Sequence, residues 1–385
     1  MDAFFVEVER RRRPELKGAA VVVAGLGGRG VVTSASYEAR RLGVGSGMPT
    51  VHARRLCPRA HYLPPDHRAY GAASAEVFGV FADFTPCVEP VSVDEAFLDI
   101  SGLRLRYSSP EEVGRALRAA LRERTGLPAS VGLAGNKLLA KLASRAAKPD
   151  GLRLVSNGEE AAFLHPLPVR ALWGVGEATH ARLEELGVRT VGDLAALPRD
   201  LLERRLGRAL GGHLSDLAQG RDERPVEAGG PARSLSVEET FAADLAGRAA
   251  LEEELLRLAD RLAERLQAAG VVARTLSLKV RFADFATISR SHTLPEAVDT
   301  AHDLYRAARA LLGRAAVGPR PVRLLGLAGE GLEAAAAPRQ LGLEGHRWGS
   351  VEAAVGRARA RFGRDAVRRA RLAKGRGEPP GAMEE

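Results

Sequence analysis

Three features of the sequence predict a multidomain α+β protein. The chain has 385 residues, more than the roughly 250 at which a single hydrophobic core stops growing. Up to residue 154, short valine-rich runs alternate with amphipathic stretches, which is typical of a mixed α/β unit. Residues 155–224 read as entirely helical, and beyond residue 233 the strand and helix patterns follow the order βαββαβ.

Each element of the first two segments rests on a local pattern. Apolar runs predict strands, and apolar residues three and four positions apart predict helices. The predicted strands are Val21–Val23, Val31–Val32 and Val91–Ile100, and the predicted helices are Glu111–Arg124 and Lys137–Ala147. The helical segment is divided by Pro166, Pro168, Gly174, Gly176, Gly187 and Pro198.

The βαββαβ segment follows a linker rich in Pro and Gly. Its predicted elements are Ser234–Phe241, Leu251–Ala269, Val272–Phe282, Ala286–Thr293, Ala301–Leu312 and Val322–Leu327. In the hairpin, apolar residues alternate with polar ones that include Lys279 and Arg281, so one face packs on helices and the other is polar and basic. A phosphate backbone suits such a face, and an ordinary solvated face is an equal alternative. The Arg-rich tail, Gly356–Arg376, is either one helix or disordered.

The composition favours nucleic acid as a partner. The 57 Lys and Arg against 48 Asp and Glu give a formal charge of +9 and a pI near 10.0, which suits nucleic acid or an anionic membrane surface. No apolar run reaches the roughly 18 residues of a membrane span, and Glu7 and Glu9 interrupt any signal peptide. We therefore expect no membrane partner. Cys57 and Cys87, without zinc-like spacing, predict a reduced cytoplasmic protein.

The acidic pair Asp94 and Glu95 is the most informative local feature. It lies in the apolar run Val91–Asp99, where an ionised carboxylate is costly unless a cation or hydrogen bonds compensate. Mg²⁺ prefers carboxylate oxygens, so a metal site is one interpretation, and a solvated turn is the more common one for an isolated pair. Neighbouring strand residues point to opposite faces, so joint coordination requires a bend here, and we predict one.

Several short motifs, in order along the chain, carry a resemblance to a known family. They are Met1-Asp2-Ala3-Phe4-Phe5, Ser34-Ala35-Ser36-Tyr37-Glu38-Ala39-Arg40-Arg41-Leu42-Gly43-Val44, Met48-Pro49-Thr50, Leu56-Cys57-Pro58, Asp94-Glu95-Ala96 and Ala147-Lys148-Pro149-Asp150-Gly151. Together they resemble the Y-family translesion DNA polymerases, most closely the DNA polymerase IV type. The resemblance runs from Met1 to about Leu327.

The resemblance implies a right-hand polymerase with a ferredoxin-like palm, small fingers, a helical thumb and a βαββαβ little-finger domain. The implied bounds are palm 1–5 and 66–154, fingers 6–65, thumb 155–224, linker 225–233, little finger 234–330 and C-terminal tail 331–385. The implied activity is template-directed, error-prone translesion DNA synthesis. Its partners are primer-template DNA and deoxynucleoside triphosphates. No exonuclease-like carboxylate cluster is evident in the other segments, so we expect no proofreading.

The resemblance also implies the site residues. Asp94 and Glu95 match catalytic ligands that hold two Mg²⁺ ions for attack of a primer hydroxyl on an α-phosphate. The family also has positions that bind the triphosphate of the incoming nucleotide, and these are matched here by Tyr37, Arg40, Lys148 and Ser34. The residue types agree with that role, because Arg offers phosphate a bidentate fork and Lys a point charge.

Two further features match by resemblance. Phe5 matches an aromatic residue that blocks a ribose 2′-hydroxyl as a steric gate, and ordinary core packing is the alternative. The run from Leu172 to Val188 resembles a helix-hairpin-helix. Gly174 and Gly176 would there let backbone N–H groups approach a DNA phosphate without reading sequence.

The stretch Gly25–Gly30 fits the dinucleotide-binding spacing G-x-G-x-x-G, which makes an oxidoreductase a formal alternative. In that fold the loop opens a helix at once. Here Val31-Val32-Thr33 continues as a strand, so we interpret the stretch as a glycine-rich hairpin connection.

The start of the chain departs from the family's pattern. The family's first metal-binding Asp precedes the position of Met1, in the pattern His-Val-Asp-Met-Asp, and Asp2 matches a second Asp that is not ordinarily a ligand. Either the start lies inside a longer reading frame, which we favour, or the chain is a truncated, catalytically impaired DNA-binding paralogue.

The segment Gln340-Leu341-Gly342-Leu343 resembles the peptide by which these polymerases hold the sliding clamp. Glu344 stands where an aromatic residue is usual, so the apolar anchor is weaker. We expect feeble clamp binding and a monomeric protein.

Overall fold

The computed structural model describes residues 1–230, 232–335, 347–363, 366–367 and 369–373. The chain forms two compact units, Met1–Gly230 and Pro231–Glu385. Across the described ranges, no helix is both long enough and apolar enough to cross a bilayer. The clamp-like segment Gln340–Leu343 lies outside the described residues.

The N-terminal unit contains eleven α-helices and seven strands. The helices are α1 Phe4–Arg12, α2 Tyr37–Arg41, α3 Thr50–Leu56, α4 His67–Phe84, α5 Pro110–Thr125, α6 Lys137–Ala146, α7 Glu160–Leu164, α8 Glu177–Glu184, α9 Val191–Ala196, α10 Arg199–Leu206 and α11 Arg208–Ala218. The strands are β1 Val21–Ala24, β2 Val32–Ala35, β3 His61–Leu63, β4 Val88–Ser92, β5 Glu95–Leu98, β6 Val131–Leu133 and β7 Leu152–Leu154. Single 3₁₀ turns form at Pro14–Leu16, Ser101–Leu105 and Val169–Ala171.

Strand β1 is the centre of a three-stranded sheet in the order β2-β1-β3, antiparallel to β2 and parallel to β3. Its side chains alternate between two cores. Val21 and Val23 pack into a core that α1, α4 and α5 also line. Val22 and Ala24 pack into a second core against α2 and α3. The helices of 160–218 enclose a third core together with α6.

One sequence prediction in this unit needs correction. The segment Val91–Ile100 is not one buried strand, because Val93 and Asp94 form a turn that joins β4 to β5 as an antiparallel ladder. The predicted bend at the acidic pair is confirmed by the same turn. Phe5 lies in helix α1, which begins at Phe4. The glycine stretch Gly25–Gly30 connects the antiparallel strands β1 and β2 and opens no helix, so the oxidoreductase alternative fails.

The C-terminal unit has the predicted element order βαββαβ. Its elements are β8 Ser234–Leu245, α12 Arg248–Ala268, β9 Val271–Phe282, β10 Thr287–Val298, α13 Ala301–Arg314 and β11 Val322–Ala334. The antiparallel sheet has the order β10-β9-β11-β8, and its inner face packs on α12 and α13. Beyond it, α14 Arg347–Phe362 and α15 Ala370–Ala373 are two helices, so the Arg-rich tail is neither one helix nor wholly irregular.

Helix α6 packs very closely on β6, because Gly132 has no side chain. A Cβ atom placed on Gly132 would lie 2.0 Å from the carbonyl oxygen of Ala140 and 2.2 Å from the backbone nitrogen of Ser144. Both atoms belong to the α6 backbone, so any side chain at Gly132 would push the helix away. This contact fixes α6, which carries Lys137 and Lys141.

We expect Gly132→Ala to lower the free energy of unfolding of the N-terminal unit by about 1–3 kcal/mol, because overpacking forces the backbone to shift. Urea denaturation followed by circular dichroism measures this change. Gly45→Ala is the matched control, since a Cβ atom there meets nothing within 4 Å. Equal losses in the two variants would contradict the close-packing explanation.

Candidate active site

The acidic pair lies at the tip of the β4–β5 hairpin. Asp94 is in the turn and Glu95 is the first residue of β5. Their side chains are 31% and 44% exposed, so they are half-solvated and not buried in an apolar sheet as the sequence suggested. The hydroxyl of Ser92 donates a hydrogen bond to Asp94 Oδ1 at 2.8 Å. The ammonium of Lys141 lies 2.5 Å from Glu95 Oε1. The turn therefore presents two neighbouring carboxylates to solvent.

Lys148 is connected to the acidic turn through Met1. Its Nζ donates to the Met1 carbonyl oxygen at 2.8 Å and to Asp2 Oδ1 at 3.1 Å. The Met1 amino group donates to the Asp94 carbonyl oxygen at 2.7 Å and lies 3.9 Å from its Oδ2. The Met1 amino group and the Lys148 ammonium thus lie beside the acidic turn and its neighbouring backbone.

Asp2 is a buried carboxylate that organises this region. Its Oδ2 accepts hydrogen bonds from the Ser130 hydroxyl at 2.8 Å and the Asp150 backbone N–H at 2.7 Å. Burial acts to raise the pKa of Asp2, but the Asp150 N–H, the charge of Lys148 and the Ser130 hydroxyl outweigh it, and the pKa is lowered. Asp2 is therefore ionised at neutral pH and positions Lys148.

Tyr37 and Arg40 lie close together, as their three-residue spacing on a helix predicts. The Arg40 guanidinium carbon is 4.7 Å from the centre of the Tyr37 ring, and its Nε donates to the Ala35 carbonyl oxygen at 2.9 Å. The Tyr37 hydroxyl is buried and has no hydrogen-bond partner among the described residues. Burial, and then the nearby charge of Asp2, raise the Tyr37 pKa.

Ser34 is buried and Phe5 is partly buried. Ser34 lies in β2, is 7% exposed and is paired with Val23 of β1. The Phe5 ring stacks on Tyr70 with centroids 4.3 Å apart and an interplanar angle of 21°. It also meets the His67 ring edge to face at 6.5 Å. The Phe5 ring is therefore partly buried and held in place by its aromatic neighbours. Both interpretations of Phe5, as a steric gate and as core packing, require such a fixed ring.

One cleft of about 1690 Å³ collects part of the predicted site. Its wall includes the predicted residues Asp94, Glu95, Lys148, Gly174 and Gly176. The other predicted residues of this unit, Ser34, Tyr37, Arg40 and Phe5, do not line it. The acidic turn and Lys148 are therefore in one cavity, and the Tyr37 pair is not part of its wall.

The structure adds Lys141 and Trp173, which sequence reasoning did not assign a role. Lys141 Nζ lies 4.8 Å from the Trp173 ring centroid, and the Arg224 guanidinium carbon lies 5.2 Å from it. The Phe97 ring of β5 is 6.1 Å away. A signal was present in the sequence, because Lys137 and Lys141 are four apart and so share one face of α6.

The glycines of the predicted helix-hairpin-helix lie at the start of α8. Gly174 has a φ of +92°, a left-handed conformation that favours glycine. Gly176 is the N-cap residue of α8, and a Cβ atom there would meet nothing within 4 Å. The backbone at this position is therefore open to a ligand.

The outer face of the C-terminal sheet is less basic than its sequence suggests. Lys279 Nζ pairs with Glu238 on β8, with distances of 2.9 and 3.0 Å to the two oxygens. Arg281 Nε donates to the Thr287 hydroxyl at 3.0 Å. Ser277 donates to Glu330 at 2.9 Å. Carboxylates of β8 and β11 thus balance part of the positive charge that β9 carries.

The donor set of the acidic turn fits a hard divalent ion. Within the described ranges, no three His, Cys, Asp or Glu side chains converge as a complete metal site. Mg²⁺, however, is commonly held by one or two carboxylates, with substrate phosphates and water completing its coordination. Asp94 and Glu95 supply two adjacent carboxylates in an open cleft, which meets that requirement.

Comparison with known families matches three segments of the chain. Residues 1–145 match the impB/mucB/samB family, and residues 232–343 match the C-terminal domain of the same family. Residues 170–222 match a thumb domain described for DNA polymerase iota.

Similar proteins cover most of the chain. DNA polymerase IV of Desulfatibacillum aliphaticivorans is 42% identical over 327 residues, 85% of this chain and 82% of that protein. DNA polymerase IV of Halorhodospira halophila is 45% identical over 334 residues, 86% of this chain and 94% of that protein. A Y-family DNA polymerase chimera of Dbh and Dpo4 is similar in structure, with a TM-score of 0.79, 27% identity and coverage of 86% and 97%. A solved insertion ternary complex of Dbh DNA polymerase has a TM-score of 0.63 at the same identity, with coverage of 86% and 96%.

The fold and the acidic cleft, taken with these similarities, define a right-hand DNA polymerase. The chain belongs to the Y-family, and within it to the DNA polymerase IV type. It is a translesion DNA-directed DNA polymerase that depends on divalent metal, and the similarities do not favour the catalytically impaired alternative.

We expect Asp2→Asn to lower the free energy of unfolding at about pH 7 by about 1–3 kcal/mol, because a buried charged hydrogen-bond network loses its acceptor. The folded pKa of Asp2 lies below its ordinary value of about 3.9, so its stabilisation is present above that value and disappears as the pH falls through the folded pKa. The difference in free energy of unfolding between the unmodified protein and the Asp2→Asn variant should therefore become smaller at acidic pH.

Urea denaturation at about pH 7 and about pH 3 measures this difference. Asp200→Asn is the control, because Asp200 forms an exposed pair with Arg204 at 2.7 Å and such pairs contribute little. A loss for Asp2→Asn that is the same at both pH values would count against the charge-based explanation.

Proposed function

We propose that this polymerase uses Asp94 and Glu95 to hold two Mg²⁺ ions while it adds a deoxynucleotide to a primer. The observation that carries the proposal is that both carboxylates and Lys148 line one cleft. Two metal ions in such a site stabilise the attacking and the leaving oxygen of an in-line displacement. The protein's own part is to supply oxygen donors and to position the phosphates.

The triphosphate would be held by cations that the fold already fixes. Lys148 is directed by Asp2 and the Met1 carbonyl, so its charge is available beside the acidic turn. Arg40 lies over Tyr37 with its Nε bound to the backbone, which leaves the fork of terminal nitrogens for phosphate oxygens. We propose Ser34 as a further hydroxyl contact.

The pairing of Glu95 with Lys141 bears on this proposal. The Lys141 ammonium, 2.5 Å from Glu95 Oε1, balances the charge of this side chain when no other cation is near. If Glu95 held a divalent ion through the same oxygens, Lys141 would still have the Trp173 ring as a second favourable neighbour. We propose that Lys141 holds the Glu95 side chain in the cleft between catalytic cycles.

Primer-template DNA would be gripped through its backbone. We propose that N–H groups at the start of α8, next to Gly174 and Gly176, bind a phosphate, since a helix N-terminus favours anions. Lys279 and Arg281 on the outer sheet face would bind further phosphates after the Lys279 ammonium leaves the Glu238 carboxylate and pairs with the DNA backbone. The similarity to Dbh DNA polymerase solved as an insertion ternary complex supports DNA and a nucleotide as joint ligands.

The remaining sequence interpretations stay proposals. We assign the palm to 1–5 and 66–154, the fingers to 6–65, the thumb to 155–224 and the little finger to 234–330. We also propose a monomeric, cytoplasmic enzyme with a weak sliding-clamp contact at Gln340–Leu343.

We expect Asp94→Asn and Glu95→Gln each to reduce the rate of primer extension by about 100-fold or more, because each removes a charged donor from the metal site. Binding of primer-template DNA, measured by fluorescence anisotropy, should change little. Asp99→Asn is the matched control, since Asp99 lines the same cleft but binds the Ser101 backbone N–H at 2.9 Å. Normal extension by either of the first two variants would refute the metal-ligand assignment.

We expect Phe5→Leu to raise ribonucleotide incorporation relative to deoxynucleotide incorporation by about tenfold or more, because a smaller side chain admits the 2′-hydroxyl. Single-nucleotide extension with each substrate gives the ratio of kcat/KM values. Phe4→Leu is the control, because Phe4 is 4% exposed in the core and its loss should affect stability alone. An unchanged ratio for Phe5→Leu would leave packing as the role of this ring.

A further inference from the structure

The helical face of the C-terminal unit carries a cluster of arginines that the proposed polymerase site does not use. An open depression of about 440 Å³ lies at the start of α12 and along α13. Its lining consists of Arg248, His302, Tyr305, Arg306, Arg309 and Ala310. Three of these six lining residues are arginines, so the depression is rich in positive charge.

A single carboxylate, Glu252, organises these arginines. Arg248 Nε and Arg309 Nε both donate to Glu252 Oε1, at 2.8 and 2.9 Å, and Arg371 lies 3.6 Å from Oε2. The Glu252 side chain is 8% exposed, whereas Arg248 and Arg309 are 64% and 56% exposed. Hydrogen bonds from Arg248 and then Arg309 lower the Glu252 pKa, so it stays ionised and fixes the guanidinium groups at the surface.

The cluster has more positive than negative charge. Arg306 adds a fourth guanidinium, 3.5 Å from Asp303. With Glu252 and Asp303 as counter-ions, four arginines leave a formal excess of two positive charges. Arg248 and Arg309 use only Nε for Glu252, so their terminal nitrogens are not needed for that contact. Such preorganised forks match phosphate oxygens.

The start of α12 adds to the same positive field. The helix has 21 residues, begins at Arg248 after Gly247, and has neither a side-chain cap nor an acidic residue in its first turn. The first N–H groups of a long helix carry partial positive charge and favour an anion. Arg248 therefore combines a full charge with a helix terminus at one edge of the depression.

We propose that this arginine cluster binds the phosphodiester backbone of a nucleic acid strand, separately from the DNA held at the active site. A peptide partner fits less well, because protein interfaces depend on buried aromatic or aliphatic anchors. Here the Tyr305 hydroxyl is engaged by Arg371 at 3.0 Å and Ala310 is the one aliphatic residue of the described lining. Binding of backbone phosphates requires only positive charge and hydrogen-bond donors. Binding is expected to be independent of sequence.

The test uses the full-length protein with its cleft saturated by unlabelled primer-template DNA, so that occupancy of the proposed active site is held constant. A labelled oligothymidine of about 12 residues is titrated by fluorescence anisotropy at several salt concentrations. We expect the double variant Arg306→Gln, Arg309→Gln to bind it about fivefold or more weakly. The slope of log K against log salt should fall by about 1.4, since each lost single-strand phosphate contact contributes about 0.7.

Arg314→Gln is the matched control, because Arg314 is exposed at the end of the same helix α13 and outside the depression. It should change the affinity less than twofold, about the effect of one distant charge. Arg306→Gln alone, which leaves the Glu252 contacts intact, should show part of the loss, and this separates binding from misfolding.

Primer extension on a short template is measured in parallel, and the double variant should retain it. Absence of primer extension by the unmodified protein would argue against the proposed function. The proposal for the arginine cluster is tested separately, by oligothymidine binding alone. Three results would overturn the proposal: no oligothymidine bound beside saturating primer-template DNA, equal weakening by Arg314→Gln, or binding of tripolyphosphate or polyglutamate in place of the strand.

Discussion

The arrangement of the candidate active-site cleft depends on charge balance around the β4–β5 turn. Two adjacent carboxylates repel each other, and a tight turn holds them at close range. In this protein Lys141 on α6 faces Glu95, with 2.5 Å between its Nζ and Glu95 Oε1. Because α6 can approach β6 only where Gly132 leaves room, backbone packing decides whether a cation reaches the turn. The electrostatics of the site therefore rest on a contact between main chains.

Much of the fold could be predicted from the sequence, because its patterns are local. The order βαββαβ and the polar and apolar alternation of Val272–Phe282 follow from period-two and helical spacing, and the structure has both. The bend at Asp94 was also predictable, since joint coordination by neighbours on a straight strand is impossible. The order of strands in the C-terminal sheet was not, because β11 lies between β8 and β9 and no short-range signal specifies such pairings.

The parts of the site that the sequence left open are those set by distant neighbours. Asp2 lies more than a hundred residues from its partners Ser130, Lys148 and Asp150, so its burial has no local signature. The charge of Lys279 was read from β9 alone, whereas Glu238 on another strand balances it. Motif resemblance identified Tyr37, Arg40 and Lys148, but it gave no indication that Lys141 and Trp173 accompany Glu95. The roles of all these residues stay predictions.

Strand β1 limits how the polymerase can move. Its valines alternate between two cores, and Val21 and Val23 pack together with Tyr70 and Leu121 from helices outside the segment 6–65. Swinging that segment as a rigid lid would expose fully buried side chains, at about 1.5–3 kcal/mol for each valine. A rigid-body movement of the segment 6–65 is therefore opposed by the packing of its central strand, because the valines of β1 tie it to the core of the N-terminal unit.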